Sequence, residues 1–464
     1  MHSPATHSTS PVESAAITSG PTLSGVRAAH LLASLAGPLV AGGVIARRRS
    51  IMPLLEKWQT DADTVTTIAE LRAKYGPGPL LLDLPGRRIA LPLVAQDVKR
   101  ILDRSPDDFT PANREKQASL SPFQPHGVLI SRGSVRGPRR HFNENVLDTG
   151  QSLHHLAGAI ASAVDDEMSV LVERVAAAGG ELSAATFLES WWYMVRRVVL
   201  GDAAREDNTV TDELWKLRAR GNWAYLRPNR RRLRDRFLDR LYDYVDDADP
   251  LSLAGAVAAA RPESAVDPVG QIPHWLFAFD AAGIVTLRTL ATLAAQPAMM
   301  QRAIDESRSK ELSSPAVLPY LQACVLESTR LWPTTPAILR DSVTPTTWGP
   351  AGGRFEISSG TAFLILATAF HRDRDAVPFA DDFTPDAWLD GRASRTAGLV
   401  PFSDGPARCP GENLVLFIAS TAIAHLVSAF PELTLVSKPG LSADGPLPST
   451  VNHYSIALRT RGGA

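Results

Sequence analysis

Apolar residues recur with helical spacing over most of the chain after about residue 150. This spacing predicts helices at 153–178, 185–200, 212–223, 230–247, 268–295, 298–308, 317–331 and 411–430. Short apolar runs bounded by turn residues predict strands at 80–83, 88–91, 355–357 and 363–367. The pattern is typical of a mainly α fold with small β-sheets, an α+β arrangement. Since no repeat or linker divides the chain after residue 50, we expect a single domain.

The N-terminal region differs from the rest of the chain. Residues 1–25 are rich in Ser, Thr and Pro, which predicts a disordered tail and leaves 26–464 as the folded domain. An apolar stretch at 28–46 precedes three arginines, but glycines and a proline interrupt it and its length barely reaches a membrane span. We therefore expect a soluble helix here and not a membrane anchor.

Composition narrows the class of protein. Hydrophobic residues make up 44% and charged residues 21%, as in ordinary globular chains. The 48 basic and 49 acidic residues nearly cancel, which disfavours nucleic acid as a partner. Two cysteines form no disulfide framework in so long a chain, and a reducing cytoplasm fits them best.

Cys409 lies in a loop with a distinctive composition, PFSDGPARCPGENL at 401–414, which leads directly into a predicted helix. The N-terminus of a helix stabilises a thiolate, so we expect a lowered pKa and a role as metal ligand or nucleophile. A lone cysteine can equally be a small buried hydrophobe. The loop alone leaves both interpretations open.

The spacing of Phe402, Gly405, Cys409 and Gly411 resembles the haem-binding loop of the cytochrome P450 family, F-x-x-G-x-R-x-C-x-G. The resemblance implies haem b as cofactor, Cys409 as the thiolate ligand of its iron, and Phe402 and Gly411 as cofactor-binding residues. The family's arginine is replaced by Ala407. Arg408 stands one position later in the chain, and its role is left open.

Further segments resemble the same family in the same order. Glu327 and Arg330 match E-x-x-R on one helix face, and HRD at 371–373 precedes FTPDAW at 383–388. Ala387 stands where the family usually has an arginine that completes a network with the pair. We therefore expect Glu327 and Arg330 to bind other groups, such as backbone carbonyls near the cysteine loop.

Haem carries two propionates, whose burial requires cationic donors. The resemblance assigns this role to Arg340 and, in RGSVRGPRRHF, to Arg136 and Arg140. The alternative is a surface charge for Arg340 and a solvated basic face for Arg136 and Arg140.

The helix predicted at 268–295 contains AAGIVT, which resembles the family's A-G-x-(D/E)-T stretch across the distal haem face. The resemblance makes Gly283, which lets the helix open for oxygen, and Thr286, which manages protons, the catalytic residues. Val285 replaces the acid, and Asp280 lies off the face of Thr286. A hydroxyl bonded to its own backbone is the alternative for Thr286.

The resemblance implies a haem-thiolate monooxygenase that oxidises a small apolar organic substrate with O2, in bacterial secondary metabolism or catabolism. Electrons would come from an external ferredoxin or flavodoxin with its reductase. Segments 119–131 and 215–227 correspond by position to substrate-covering elements. Three alternatives remain: an atypical haem-thiolate enzyme that uses peroxide, cyclises or couples; a haem-binding protein without turnover; and a non-haem protein with Cys409 as nucleophile and His371 as base.

Overall fold

A computed structural model describes residues 19–262, 265–350, 353–437 and 440–460. Most of these residues are helical. The helices are α1 (Gly25–Gly42), α2 (Met52–Trp58), α3 (Thr60–Tyr75), α4 (Ala95–Asp103), α5 (Arg114–Leu120), α6 (Arg136–Val146), α7 (Ala157–Ala177), α8 (Ala184–Leu200), α9 (Asn208–Gly221), α10 (Arg231–Asp246), α11 (Leu253–Ala259), α12 (Ile272–Ala295), α13 (Pro297–Arg308), α14 (Pro319–Leu331), α15 (Ala367–His371), α16 (Asp386–Leu389), α17 (Arg392–Arg395) and α18 (Glu412–Ala429).

The strands form small sheets beside the helices. They are β1 (Thr22–Ser24), β2 (Leu80–Leu84), β3 (Arg87–Leu91), β4 (Phe109–Thr110), β5 (Glu181–Ser183), β6 (Ala337–Ser342), β7 (Thr346–Trp348), β8 (Phe355–Ile357), β9 (Ala362–Leu366), β10 (Thr434–Leu435) and β11 (Ala457–Arg459). The largest sheet has the order β1-β2-β3-β9-β6-β4, and smaller sheets join β10-β11-β5 and β7-β8. The predicted mainly α fold with small sheets is confirmed.

The described end of the predicted N-terminal tail is ordered. Thr22 to Ser24 pair in parallel with Leu81 to Asp83 of β2, and α1 follows directly. Residues 1–18, the rest of that predicted tail, lie outside the described residues. The apolar stretch at 28–46 contributes most of α1, whose Leu35 is buried against the sheet.

Helix α12 runs through the largest apolar cluster and contacts α8, α14 and α18. Helices α12 and α18 are both long and apolar enough to cross a membrane, but 78% and 67% of their most apolar stretches are buried inside the protein. Such burial is typical of core helices. The threonines of α12 satisfy their hydroxyls on carbonyls one turn earlier, as Thr289 does on Val285 O at 2.9 Å.

Candidate functional site

Cys409 lies between a short turn at Gly405–Ala407 and the first residue of α18. Its backbone N–H donates to the carbonyl oxygen of Phe402 at 3.0 Å, which closes the loop around it. Gly405 has a φ of +65°, and a Cβ there would stand 2.2 Å from the carbonyl oxygen of Leu102. Only glycine accommodates both the backbone angle and this close packing of the loop on α4.

The environment of the Cys409 thiol differs from the expectation. Burial raises its pKa to about 11; the backbone N–H of Gly411 opposes the rise, and the Glu412 carboxylate adds to it. The predicted lowering of the pKa is therefore wrong for the free thiol, because burial outweighs the helix terminus. A thiolate at this position needs a compensating cation, which a coordinated metal ion supplies.

His371 does not serve as a base for Cys409. Its Nδ1 lies 2.9 Å from the carbonyl oxygen of Arg330, and its Nε2 accepts the N–H of Val400 at 3.0 Å. Both ring nitrogens are engaged by backbone, and burial lowers the pKa to about 3. This arrangement removes the support for a nucleophilic cysteine paired with His371.

Arg140 and Arg408 meet at the cysteine loop without sharing a role. Arg140 donates to the carbonyl oxygen of Arg408 at 2.7 Å and pairs with Glu144 at 2.6 Å. Arg408 points outward instead, with 54% of its side chain exposed, and forms two hydrogen bonds to Glu412 at 2.5 and 2.6 Å. Arg140 therefore braces the loop, while the charge of Arg408 is neutralised at the surface.

Arg340, on β6, is almost fully buried, and its three hydrogen bonds go to uncharged oxygens. They reach Ser105 Oγ at 3.1 Å, Leu339 O at 3.0 Å and Ser403 Oγ at 3.3 Å. Burial and, to a smaller extent, the nearby charge of Arg136 together lower its pKa to about 9. A buried guanidinium without a carboxylate partner is the arrangement expected of an anion-binding residue.

Arg136, at the start of α6, also has a lowered pKa and an uncharged hydrogen-bond acceptor. It donates to the carbonyl oxygen of Val128 at 2.9 Å, and burial lowers its pKa to about 10. The charge of Arg136 contributes to the lowered pKa of Arg340, which is consistent with the two arginines lying in the same region. Their assignment to a cofactor stays a prediction.

Lys116 joins these two arginines, although sequence reasoning missed it. Its Nζ donates to the carbonyl oxygen of Leu339 at 2.9 Å. Burial lowers its pKa well below the usual value, and the charges of Arg340 and Arg136 add to this effect. The polar sequence REKQASL predicts an exposed face, so no local signal marks Lys116.

Glu327 and Arg330 form a fully buried ion pair on α14 at 2.7 Å. The guanidinium also donates to four backbone carbonyls, those of His371, Phe379, Ala380 and Asp382. The carboxylate accepts the N–H of Thr384 and the indole N–H of Trp388. Backbone carbonyls are thus the additional partners of Arg330, as expected, but they belong to residues 371–382 and not to the cysteine loop at 401–414. His371 also accepts the N–H of Val400, which precedes that loop.

Gly283 and Thr286 both lie on α12, where the first is closely packed and the second has its hydroxyl hydrogen-bonded. A Cβ at Gly283 would stand 2.8 Å from the indole ring of Trp191 on α8, so the glycine permits close helix packing. The hydroxyl of Thr286 donates to the carbonyl oxygen of Ala282 at 2.8 Å, which is the backbone alternative. Asp280 pairs with Arg218 of α9 at 2.6 Å. The catalytic roles of Gly283 and Thr286 stay predictions.

The two segments predicted to cover a substrate have different surroundings. Phe123 is buried, and its ring meets that of Phe277 on α12 edge to face at 5.6 Å. Beside it, Gln124 is fully buried, and neither amide atom has a partner within the described residues. In the other segment, Leu226 is 76% exposed. The 119–131 segment therefore lies inward against α12, and the end of the 215–227 segment lies at the surface.

Part of the sequence, including Cys409, is similar to proteins of known family. Residues 286–440 match the family model described as Cytochrome P450. The chain is 28% identical over 194 residues to the chloroplastic carotene epsilon-monooxygenase of Arabidopsis thaliana, an alignment covering 39% of this chain and 35% of that protein. It is 32% identical over 182 residues to cytochrome P450 81F1 of the same plant, covering 37% and 36%. The matched region thus spans about a third of these curated relatives.

Solved structures extend the likeness of fold across the chain. A retinoic acid-bound cyanobacterial CYP120A1 superposes with a TM-score of 0.66 at 16% identity, covering 84% of this chain and 92% of that one. A cytochrome P450 named CYP102L1 gives a TM-score of 0.68 at 17% identity, covering 86% and 94%. At such low identity these structures establish the fold.

Proposed function

We propose that the chain is a haem-thiolate monooxygenase of the cytochrome P450 family. The match of residues 286–440 to the family model and the likeness of fold to solved cytochromes P450 support this proposal. The observation that carries the proposal is the placement of Cys409. Its loop is closed by the Phe402 carbonyl and packed on α4, and Arg340 donates into the same loop at Ser403.

The residues present fit the haem b that the family implies. A thiol that burial keeps protonated on its own becomes a thiolate when an iron ion is bound. Arg340 and Arg136 have no carboxylate among their hydrogen-bond acceptors in the described chain, so two propionates would supply the missing negative charge. Cys409 would ligate the iron, and these arginines would hold the propionates. When bound, the haem supplies the iron chemistry that activates O2, and thiolate ligation favours O–O cleavage.

The chain's own residues position and shield this site. The bond from Arg140 to the Arg408 carbonyl fixes the backbone next to Cys409. Helix α12 excludes water with apolar side chains, and Thr286 keeps its hydroxyl on the Ala282 carbonyl. In this state the hydroxyl of Thr286 donates its hydrogen bond within the helix. Thr286 can pass a proton on only after a substrate or water replaces the Ala282 carbonyl as the acceptor.

Val285 favours a second candidate, an atypical haem-thiolate enzyme that uses peroxide, cyclises or couples. The family's acid is absent at this position, and Asp280 is already paired with Arg218. Protons would then come from water or substrate. Product formation supported by hydrogen peroxide, compared with formation supported by O2 and an electron donor, distinguishes this candidate from an ordinary monooxygenase.

For substrate and partners, we propose a small apolar organic compound and an external ferredoxin or flavodoxin with its reductase. The inward Phe123 and its contact with Phe277 support an apolar pocket. Retinoic acid in the cyanobacterial neighbour is a mainly apolar ligand of that protein. A bacterial-type cytoplasmic enzyme of secondary metabolism or catabolism belongs to the same proposal, and the two free cysteines support its reducing compartment.

The test is the absorption spectrum of the reduced protein with and without carbon monoxide. We expect a strongly red-shifted Soret band that Cys409→Ala abolishes, because the mutant loses the thiolate ligand. Cys324→Ala is the matched control, since Cys324 is fully buried on α14. A wild-type protein without haem, or a band that persists in Cys409→Ala, would overturn the proposal.

A further inference from the structure

Lys116 on α5 and Arg340 on β6 share one acceptor. The carbonyl oxygen of Leu339 accepts from Lys116 Nζ at 2.9 Å and from Arg340 Nη1 at 3.0 Å. The two charged nitrogens therefore lie within about 6 Å of each other, a distance at which like charges repel appreciably in a protein interior. Nothing in local sequence requires this approach, because the two residues are far apart in the chain.

The Asp341 carboxylate forms no ion pair with Lys116 or Arg340 in the described chain, although its charge partly counteracts the lowering of the Lys116 pKa. Asp341 follows Arg340 directly, but its oxygens face Arg87 at 2.7 Å and Arg132 at 3.7 Å. Among the described residues, the hydrogen bonds of Lys116 and Arg340 go only to uncharged oxygens. Arg340 is buried and Lys116 is partly buried. Cations in such positions without a hydrogen-bonded carboxylate are costly, so the arrangement fits a site that receives an anion.

The cysteine loop contributes no cation to this site. Ala407 stands where the resembling family has an arginine, and Arg408 is paired with Glu412 at the surface. Ser403 is the loop residue that contacts the cluster, through Arg340 Nη2 at 3.3 Å. The positive charge next to the loop therefore comes from β6, α5 and α6.

We propose that Lys116 binds a haem propionate together with Arg340. It thereby supplies the positive charge that the cysteine loop lacks, because Ala407 stands where the resembling family has an arginine. This inference rests on the haem-thiolate function proposed above. Lys116 is then a cofactor-binding residue outside the sequence motifs. Its Nζ carries three donors, of which the Leu339 carbonyl uses one, so the others are free for carboxylate oxygens.

The experiment measures the rate at which the purified holoprotein releases haem to excess apomyoglobin, followed by the Soret band. Lys116→Met removes the charge and keeps a similar length. We expect release about tenfold faster, the effect of losing one charge-assisted hydrogen bond. Lys116→Arg should restore the rate to within about threefold of wild type, since it restores the charge.

Two further variants serve as negative and positive controls. Lys99→Met removes an exposed lysine that pairs with Asp103 on α4, and should leave the rate unchanged. Arg340→Met should accelerate release like Lys116→Met. The midpoint potential of the iron gives a second readout: Lys116→Met should shift it negative, because a nearby positive charge favours the reduced state.

The outcomes separate the inference from the function it rests on. Release and potential at wild-type values in Lys116→Met, with faster release in Arg340→Met, would overturn the role of Lys116. So would a variant whose substrate affinity alone changes, because Lys116 would then belong to the substrate pocket. Equally fast release from Lys116→Arg and Lys116→Met, with unchanged thermal unfolding, would also count against a charge role. A wild-type protein that takes up no haem would remove the premise itself.

Discussion

Helices α14 and α12 both carry motifs that resemble those of the cytochrome P450 family, but their polar groups are used differently. On α14, Glu327 and Arg330 reach across to a segment some 40 to 60 residues later and bind its backbone. On α12, Thr286 bonds one turn back within its own helix. Gly283 acts through the absence of a side chain, which brings α8 close.

This difference indicates that the α14 pair stabilises the fold, whereas the α12 motif is available for chemistry. The α14 pair is saturated by protein atoms, so it stabilises the chain whether or not a ligand is present. The α12 motif is satisfied locally by a weak bond that a ligand or water can replace at small cost. Substitutions on α14 should therefore affect stability most, and substitutions on α12 should affect chemistry with smaller effects on stability.

The largest effect is expected for Glu327→Ala. It leaves the buried guanidinium of Arg330 without its carboxylate, a change that typically costs about 3–5 kcal/mol. The N–H groups of Thr384 and Trp388 lose their acceptor as well. Denaturant unfolding followed by far-UV circular dichroism measures the loss of stability.

Glu189→Ala is the matched control for this prediction. Glu189 pairs with Arg174 at 2.7 Å, but both side chains are about half exposed, so the expected cost is below about 1 kcal/mol. Similar losses for the two variants would mean that burial of the α14 pair adds nothing to its contribution.

Much of the fold follows from the sequence because helices here are long and strongly amphipathic or apolar. The predicted segment 185–200 matches α8 within one residue, and 298–308 matches α13 as closely. Short helices such as α5 were missed, since seven polar-rich residues give no clear period. Strand β1 was missed because its partner β2 lies far along the chain.

The intermediate effect is expected for Gly283→Ala. The new methyl group would overlap the Trp191 ring, whose indole N–H is already fixed on the Phe279 carbonyl at 2.9 Å. Overpacking of this kind costs about 1–3 kcal/mol. Thermal unfolding of the holoprotein measures the change.

Gly158→Ala on α7 provides the comparison, because a Cβ there meets no atom within 4 Å. In that exposed helical position alanine should stabilise the protein by up to about 1 kcal/mol. A Gly283→Ala variant as stable as Gly158→Ala would show that α8 and α12 can separate without loss.

The site itself is less predictable than the fold. Motif spacing identifies Cys409 and Arg340, whose surroundings the structure then supplies. It does not reveal Lys116 or the raised pKa of Cys409, because both depend on burial created by distant segments. The outward turn of Arg408 has a local cause instead, its ion pair with Glu412 four residues later.

The smallest effect on stability, and the sharpest on chemistry, is expected for Thr286→Val. The variant keeps the shape and removes the hydroxyl that donates to the Ala282 carbonyl, a bond worth about 0.5–1.5 kcal/mol. If this hydroxyl manages protons, product formed per electron consumed should fall by at least about tenfold, because loss of acid–base assistance typically costs more than this.

Thr289→Val is the control, since it removes the equivalent bond to the Val285 carbonyl one turn along α12. It should match Thr286→Val in stability and keep the wild-type ratio of product to electrons. Equal coupling in both variants would reduce Thr286 to a structural residue and favour protons delivered by substrate or water at Val285.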